Sequence, residues 1–197
     1  ELNGILKNYR YKINWKLCIT AKDISALAGS IKLDAGQVPY DGTEHKPKVI
    51  VRDSGKELAE GTDYRVEYYT DDTYKNQQTD FVNPGTTHIK VIGKGNYQGK
   101  YLLGEPFKIK KRTEDQIETS IEIELLVYDG TSAEKHVKGY IDGNETKPDF
   151  EWYQNGDKLD RAPSNAGTYT VKATWDKTET REACSAETEF TIAQKNL

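Results

Sequence analysis

Imidazole serves as metal ligand, base and proton shuttle near neutral pH, so the three histidines are the first place to look for chemistry. His45, His88 and His136 stand far apart, and none has a second ligand at the short spacing a zinc site uses. Hydroxyls are plentiful, yet the chain has no Gly-x-Ser-x-Gly elbow, no phosphate-binding glycine loop and no nucleophile with an evident base. These residues read as non-enzymatic: no catalytic residue, no metal and no cofactor. Asp71-Asp72 with Asp80 offers the oxygens calcium takes, but the spaced Asp-x-Asp-x-Asp pattern is absent and a solvated loop accounts for them. Cys18 and Cys184 lie near opposite ends of the chain, unlike the short-spaced set of a disulfide scaffold, and are expected to be free or buried thiols.

Aromatic side chains are the better route to a binding role. Tyr68-Tyr69, followed by Tyr74, and Trp152-Tyr153 each place neighbouring rings on opposite faces of a strand. One ring of each pair is therefore expected to face outward, where rings stack on sugars and anchor protein interfaces. Tyr69 and Tyr153 on strands, with Tyr74 and Tyr140 in loops, are the ligand-binding candidates. The plainer alternative has Tyr69 and Tyr153 covering the second sheet face or a module junction.

The elements that would position these rings are strands. Tyr64, Val66 and Tyr68 alternate with Arg65, Glu67 and Tyr69; Ile121, Ile123, Leu125 and Val127 alternate with Glu122, Glu124 and Leu126; Tyr169, Val171, Ala173 and Trp175 alternate with Thr170, Lys172 and Thr174. Asp-Gly, Asn-Gly and Gly-Lys-Gly-Asn turns separate such runs. No window gives an amphipathic helix. The 197 residues carry 13 Tyr and 3 Trp to fill a core and a net charge of −4. That balance gives no basic surplus for nucleic acid. No apolar run approaches the roughly 20 residues of a membrane span.

The sequence also repeats. Tyr40-Asp41-Gly42-Thr43 recurs as Tyr128-Asp129-Gly130-Thr131, and Val66-Glu67-Tyr68-Tyr69 as Phe150-Glu151-Trp152-Tyr153. Asn83-Pro84-Gly85-Thr86 is matched by Asn165-Ala166-Gly167-Thr168, and Phe107-Lys108-Ile109 by Phe190-Thr191-Ile192. Blocks kept in order, each returning about 85 residues later, define a tandem. The boundary falls in the charged stretch Lys110–Gln116, giving modules at 23–112 and 113–197. Residues 1–22 read as the closing strands of a preceding repeat or as an extra docked strand, so the native protein is expected to extend beyond this chain. Short strands at this spacing point to an all-β fold of two tandem immunoglobulin-like β-sandwich modules, with β-grasp-like small sheets as the alternative.

Module one, with Tyr40-Asp41-Gly42, Pro47, Val49, Gly61-Thr62-Asp63-Tyr64, Gly93-Lys94-Gly95-Asn96-Tyr97 and Phe107-Lys108-Ile109, resembles the Ig-like repeats of large Firmicutes cell-surface proteins. Module two keeps Tyr128-Asp129-Gly130, Asn165-Ala166-Gly167-Thr168 and Phe190-Thr191-Ile192 but lacks the Gly-Asn-Tyr turn, and is closer to YDG/MBG-type bacterial Ig-like domains. The resemblance covers roughly residues 23–195. It implies a non-enzymatic spacer and adhesion segment of a larger secreted, cell-surface or cell-wall-attached protein of a Gram-positive bacterium, with a glycan or an extracellular host protein as partner. Nothing in the sequence suggests an obligate interface, so a monomer is expected. The alternatives are a carbohydrate- or host-protein-binding module, or accessory domains of a secreted glycan-degrading enzyme. Proteins of this habitat sometimes carry Lys–Asn crosslinks, but the last strands, Phe107–Lys111 and Phe190–Ala193, hold no Asn and none is expected.

Overall fold

In the computed structural model, which describes residues 17–195, apolar–polar alternation becomes strand and the turn residues separate one strand from the next. An N-terminal set comprises β1 (Lys22–Asp23), β2 (Ile31–Leu33), β3 (Gln37–Pro39), β4 (Val49–Asp53), β5 (Lys56–Glu57), β6 (Tyr64–Tyr69), β7 (Gly85–Gly93), β8 (Tyr97–Gln98), β9 (Lys100–Leu102) and β10 (Phe107–Lys110). A C-terminal set comprises β11 (Thr119–Ile123), β12 (Leu126–Val127), β13 (Val137–Ile141), β14 (Asn144–Thr146), β15 (Asp149–Gln154), β16 (Asp157–Leu159), β17 (Gly167–Trp175) and β18 (Cys184–Ala193). The fold is all-β.

Both sets use one plan. A three-stranded sheet runs β2-β4-β5 in the first and β11-β13-β14 in the second. A five-stranded sheet runs β3-β10-β7-β6 with β9 added to β7 in the first, and β12-β18-β17-β15-β16 in the second. In each five-stranded sheet the opening strand is parallel to the closing one, β3 to β10 and β12 to β18. Period-two patterning decides which side is dry. In β7, Thr87, Ile89 and Val91 are buried between half-buried Thr86, His88, Lys90 and Ile92; in β17, Tyr169, Val171, Ala173 and Trp175 are buried. Ile31, Val49 and Val51 from the small sheet meet Tyr64, Ile89, Val91, Phe107 and Ile109 from the large one in a single cluster, so the two sheets face each other. The C-terminal set gathers its own clusters, around Trp152, Val171 and Phe190 and around Ile117, Ala173 and Trp175. Each fully buried side chain of this kind contributes roughly 1.5–3 kcal/mol. Among the described residues, no buried side-chain polar atom lacks a hydrogen-bond partner.

Each set also opens with the same clasp. Lys22 Nζ lies 2.7 Å from Asp53 Oδ1, and Arg112 grips Asp142 with Nη1 at 2.6 Å from Oδ2 and Nη2 at 2.9 Å from Oδ1. Both acids stand at hairpin turns, Ser54-Gly55 and Asp142-Gly143, whose residues take positive φ. Both basic residues enter a parallel bridge, Lys22 with Tyr97 and Arg112 with Arg181. The bridge of the first set requires Gly99, which has a φ of +75° and whose Cβ would lie 2.7 Å from Asp23 Oδ1. Asp23 then caps a 3₁₀ turn, Ile24–Ser30, that buries Ile24 and Leu27. This turn agrees with the absence of an amphipathic α-helix from the pattern, because apolar residues three apart fill one face of a 3₁₀ helix without making a 3.6-residue stripe.

Two further expectations need correcting. The alternating run Ile121–Val127 is not one strand: it breaks after Ile123, where the chain leaves the small sheet for the large one and leaves Leu125 fully exposed. Residues 1–16 of the segment read as closing strands or a docked strand lie outside the described residues. Leu17 and Ile19 are 86% exposed and form no strand. Cys18 is exposed, Cys184 is buried, and both are free thiols, as expected. No helix among the described residues is long and apolar enough to cross a membrane.

Candidate functional site

On its outer face β6 carries Arg65, Glu67 and Tyr69, and register sets them beside Ile92, Lys90 and His88 of β7. Glu67 is the hub. Lys90 Nζ lies 2.6 Å from its Oε2, the Tyr69 hydroxyl donates to the same oxygen at 2.6 Å, and Arg65 donates to Oε1. Burial works against the charge on Glu67, but the bonds from Lys90, Tyr69 and Arg65 outweigh it and hold the carboxyl at about 2. The bond to Glu67 in turn raises the Lys90 ammonium. Lys90 also donates to Tyr69 Oη at 2.7 Å and lies 4.7 Å from the ring centroid.

Tyr69 points outward yet is only 6% exposed, because the loop 70–77 folds back over it. Asp71 organises that loop by accepting from the Thr73 amide and hydroxyl and from the Asn76 amide at 2.9 Å. These bonds, the Thr73 hydroxyl first, keep its carboxyl at about 2. The loop drives Tyr74 to a φ of +56°, a strained region for a bulky residue. Its ring lies edge-on to Tyr69 at 5.5 Å and to His88 at 6.2 Å. Two of the sequence candidates, Tyr69 and Tyr74, therefore meet, Tyr69 as the covered floor and Tyr74 as the half-exposed ring. His88 completes the cluster. In sequence it is a lone histidine with no partner at ligand spacing; its place in the alternation Thr86–His88–Lys90 puts it on the outer face.

The other two candidates stand apart. Tyr153 occupies on β15 the place of Tyr69 on β6, facing Thr170, and donates to Glu151 Oε2 at 3.0 Å. No loop covers it, since a tight turn at Asn155-Gly156 leads straight into β16. Tyr140 is not a loop residue. It lies within β13, on the outer face beside Glu145 and Ser120, and donates to Glu122 Oε2 at 2.6 Å. The alternation Val137, Gly139, Ile141 buries the opposite side. Both phenols are raised, first by the bond to the neighbouring glutamate.

The repeated Tyr-Asp-Gly-Thr blocks close turns. Asp41 Oδ1 accepts from the Thr43 amide at 2.8 Å and hydroxyl at 2.7 Å; Asp129 Oδ1 does the same for Thr131 at 2.7 and 2.6 Å. His45 and His136 approach these threonines at 3.3 and 3.4 Å. Because each threonine proton already goes to the aspartate, the arrangement locks a turn and leaves no activated nucleophile. Tyr40 packs on the core, as expected for the residue before such a turn. Tyr128 does not: it is 43% exposed, with Val127 and Leu125 exposed beside it, above a cavity of about 80 Å³ lined by His136 and Ser164. Asp71 and Asp80 spend their carboxylates on their own loops, and no group of three or more metal-ligating side chains gathers among the described residues. Comparison with known protein families, with curated proteins and with solved structures yields no match.

Proposed function

We propose that this chain is a non-enzymatic spacer and adhesion segment of a larger extracellular bacterial surface protein, built as two tandem Ig-like modules, 23–112 and 113–197. The observation that carries the reading is the duplicated plan: the same three-stranded sheet, the same four-strand path from opening strand through closing strand, and the same opening clasp occur twice, each around its own buried residues, with only the fifth strand placed differently, β9 on β7 and β16 on β15. Lys111 and Arg112, which join the sets, are themselves bonded. Lys111 Nζ reaches Thr178 O at 2.6 Å, and the Arg112 amide and carbonyl pair with Thr180 and Glu182. A joint tied at both backbone groups favours a fixed separation of the ends.

The test is a distance measurement between spin labels on Lys32→Cys in β2 and Thr191→Cys in β18, with Cys18→Ala and Cys184→Ala removing the native thiols. A narrow distribution is expected. A broad one, unchanged by Arg112→Ala, would overturn the spacer reading. A second reading, a carbohydrate-binding module, is favoured by the half-exposed Tyr74 ring held edge-on to Tyr69 and His88.

A further inference from the structure

We propose that the outer face of the β6-β7 sheet, with its β9 and β10 edge, binds a linear anionic polysaccharide, one that carries carboxylate or sulfate groups along its chain. The inference rests on the adhesive reading and names what that segment would hold.

The face is basic in a chain that is not. Residues 111–195 carry 18 acidic against 11 basic side chains, and the whole chain is net −4. Yet the strand residues on this face include Arg65, Lys90, Lys100, Lys108 and Lys110 against a single strand acid, Glu67, with Asp72 of the overlying loop near Tyr74. Arg65 and Lys90 are spent on Glu67. Lys100, Lys108 and Lys110 are exposed and enter none of the ion pairs found among the described residues.

Register sets these side chains in a row. Lys108 sits beside Thr86 and Lys100 beside Ile92, with His88 and Lys90 between them on β7. At about 3.3 Å per residue, the row spans roughly 20 Å. An extended row fits a chain of repeated charges better than a single small anion. Tyr74 places one half-exposed ring midway along it, beside His88, where a sugar face can stack. Nucleic acid would want successive rings for successive bases, and this row has one.

The fold does not demand the charge. At the matching register of the C-terminal set, Asp149 replaces Arg65, Thr170 replaces His88 and Thr191 replaces Lys108, with Glu187 and Glu189 alongside. The Tyr74 loop has no counterpart there.

The experiment titrates the full chain with polygalacturonate, heparin, neutral dextran and a single-stranded oligonucleotide, at low and high salt. Saturable, salt-weakened binding of polygalacturonate or heparin is expected, and the one preferred tells carboxylate from sulfate recognition. Lys100→Glu with Lys108→Glu should weaken it about tenfold or more, as loss of two counterion-releasing contacts requires. Tyr74→Gly, which removes the ring and relieves the positive φ, should weaken it without unfolding the chain. Lys135→Glu with Lys147→Glu, on exposed positions of the other set, should leave it unchanged. The proposal is overturned by equal binding of dextran, by preference for the oligonucleotide, by no binding, or by a charge-reversal effect seen only in self-association. None of these results alters the label distances, so the spacer reading stands or falls separately.

Discussion

At the scale of residues, Glu67 shows how one carboxylate organises a surface: Lys90, Tyr69 and Arg65 converge on it, while Lys100, Lys108 and Lys110 of the same sheet enter no ion pair among the described residues. Its folded pKa, about 2, lies below the unfolded value of about 4.5, so its stabilisation is complete above 4.5 and is lost as pH falls towards 2. Glu67→Gln should remove on the order of 2 kcal/mol at about pH 6 and much less below about pH 2.5. Urea midpoints of both proteins at the two pH values check this; a deficit independent of pH would mean that the side chain's packing, not its charge, matters. Tyr74 was legible as an exposed ring, but neither its contact with Tyr69 nor its positive φ was, since both depend on where Asp71 sends its carboxylate.

At the scale of elements, what the sequence disclosed was local and periodic. β6 and β17 coincide with the alternation that announces them, and the Asp-Gly and Asn-Gly turns fall where glycine and asparagine are needed. What stayed hidden was pairing between distant segments. The break after Ile123 comes from a change of sheet, and Tyr140 belongs to a strand only because β11 and β14 flank it. The clasp was equally invisible, because a lone arginine thirty residues from an aspartate makes no pattern. Arg112→Ala removes a bidentate, partly exposed pair and should cost about 1 kcal/mol. Hydrogen exchange should rise at the Glu182 amide, which donates to the Arg112 carbonyl, with little change in β7. Unchanged exchange at Glu182 would mean that the backbone bridge holds without its side chain.

At the scale of the whole molecule, burial is local to each strand set, so damage should be too. Val171 is fully buried in the C-terminal set, as are Trp152 and Trp175 nearly so, and Val51 is its counterpart in depth in the other. In a Trp15→Phe background, Val171→Ala should lower stability by about 2 kcal/mol when tryptophan emission is followed. Protection of the β7 amides should stay as it was. A joint loss in both sets would show one cooperative unit rather than two.

The parallel pairing of the opening and closing strands carries a mechanical consequence. A pull on the chain's ends drags β3 backward along β10, and β12 backward along β18, so the ladder bonds are loaded together in shear instead of parting singly as in an unzipping hairpin. The β3–β10 ladder joins Gln37, Val38 and Pro39 to the closing strand, whereas β12 offers only Leu126 and Val127. Under tension the second set is therefore the one that yields first, and the face carrying Tyr74 and its lysines keeps its shape while the chain beyond it lengthens.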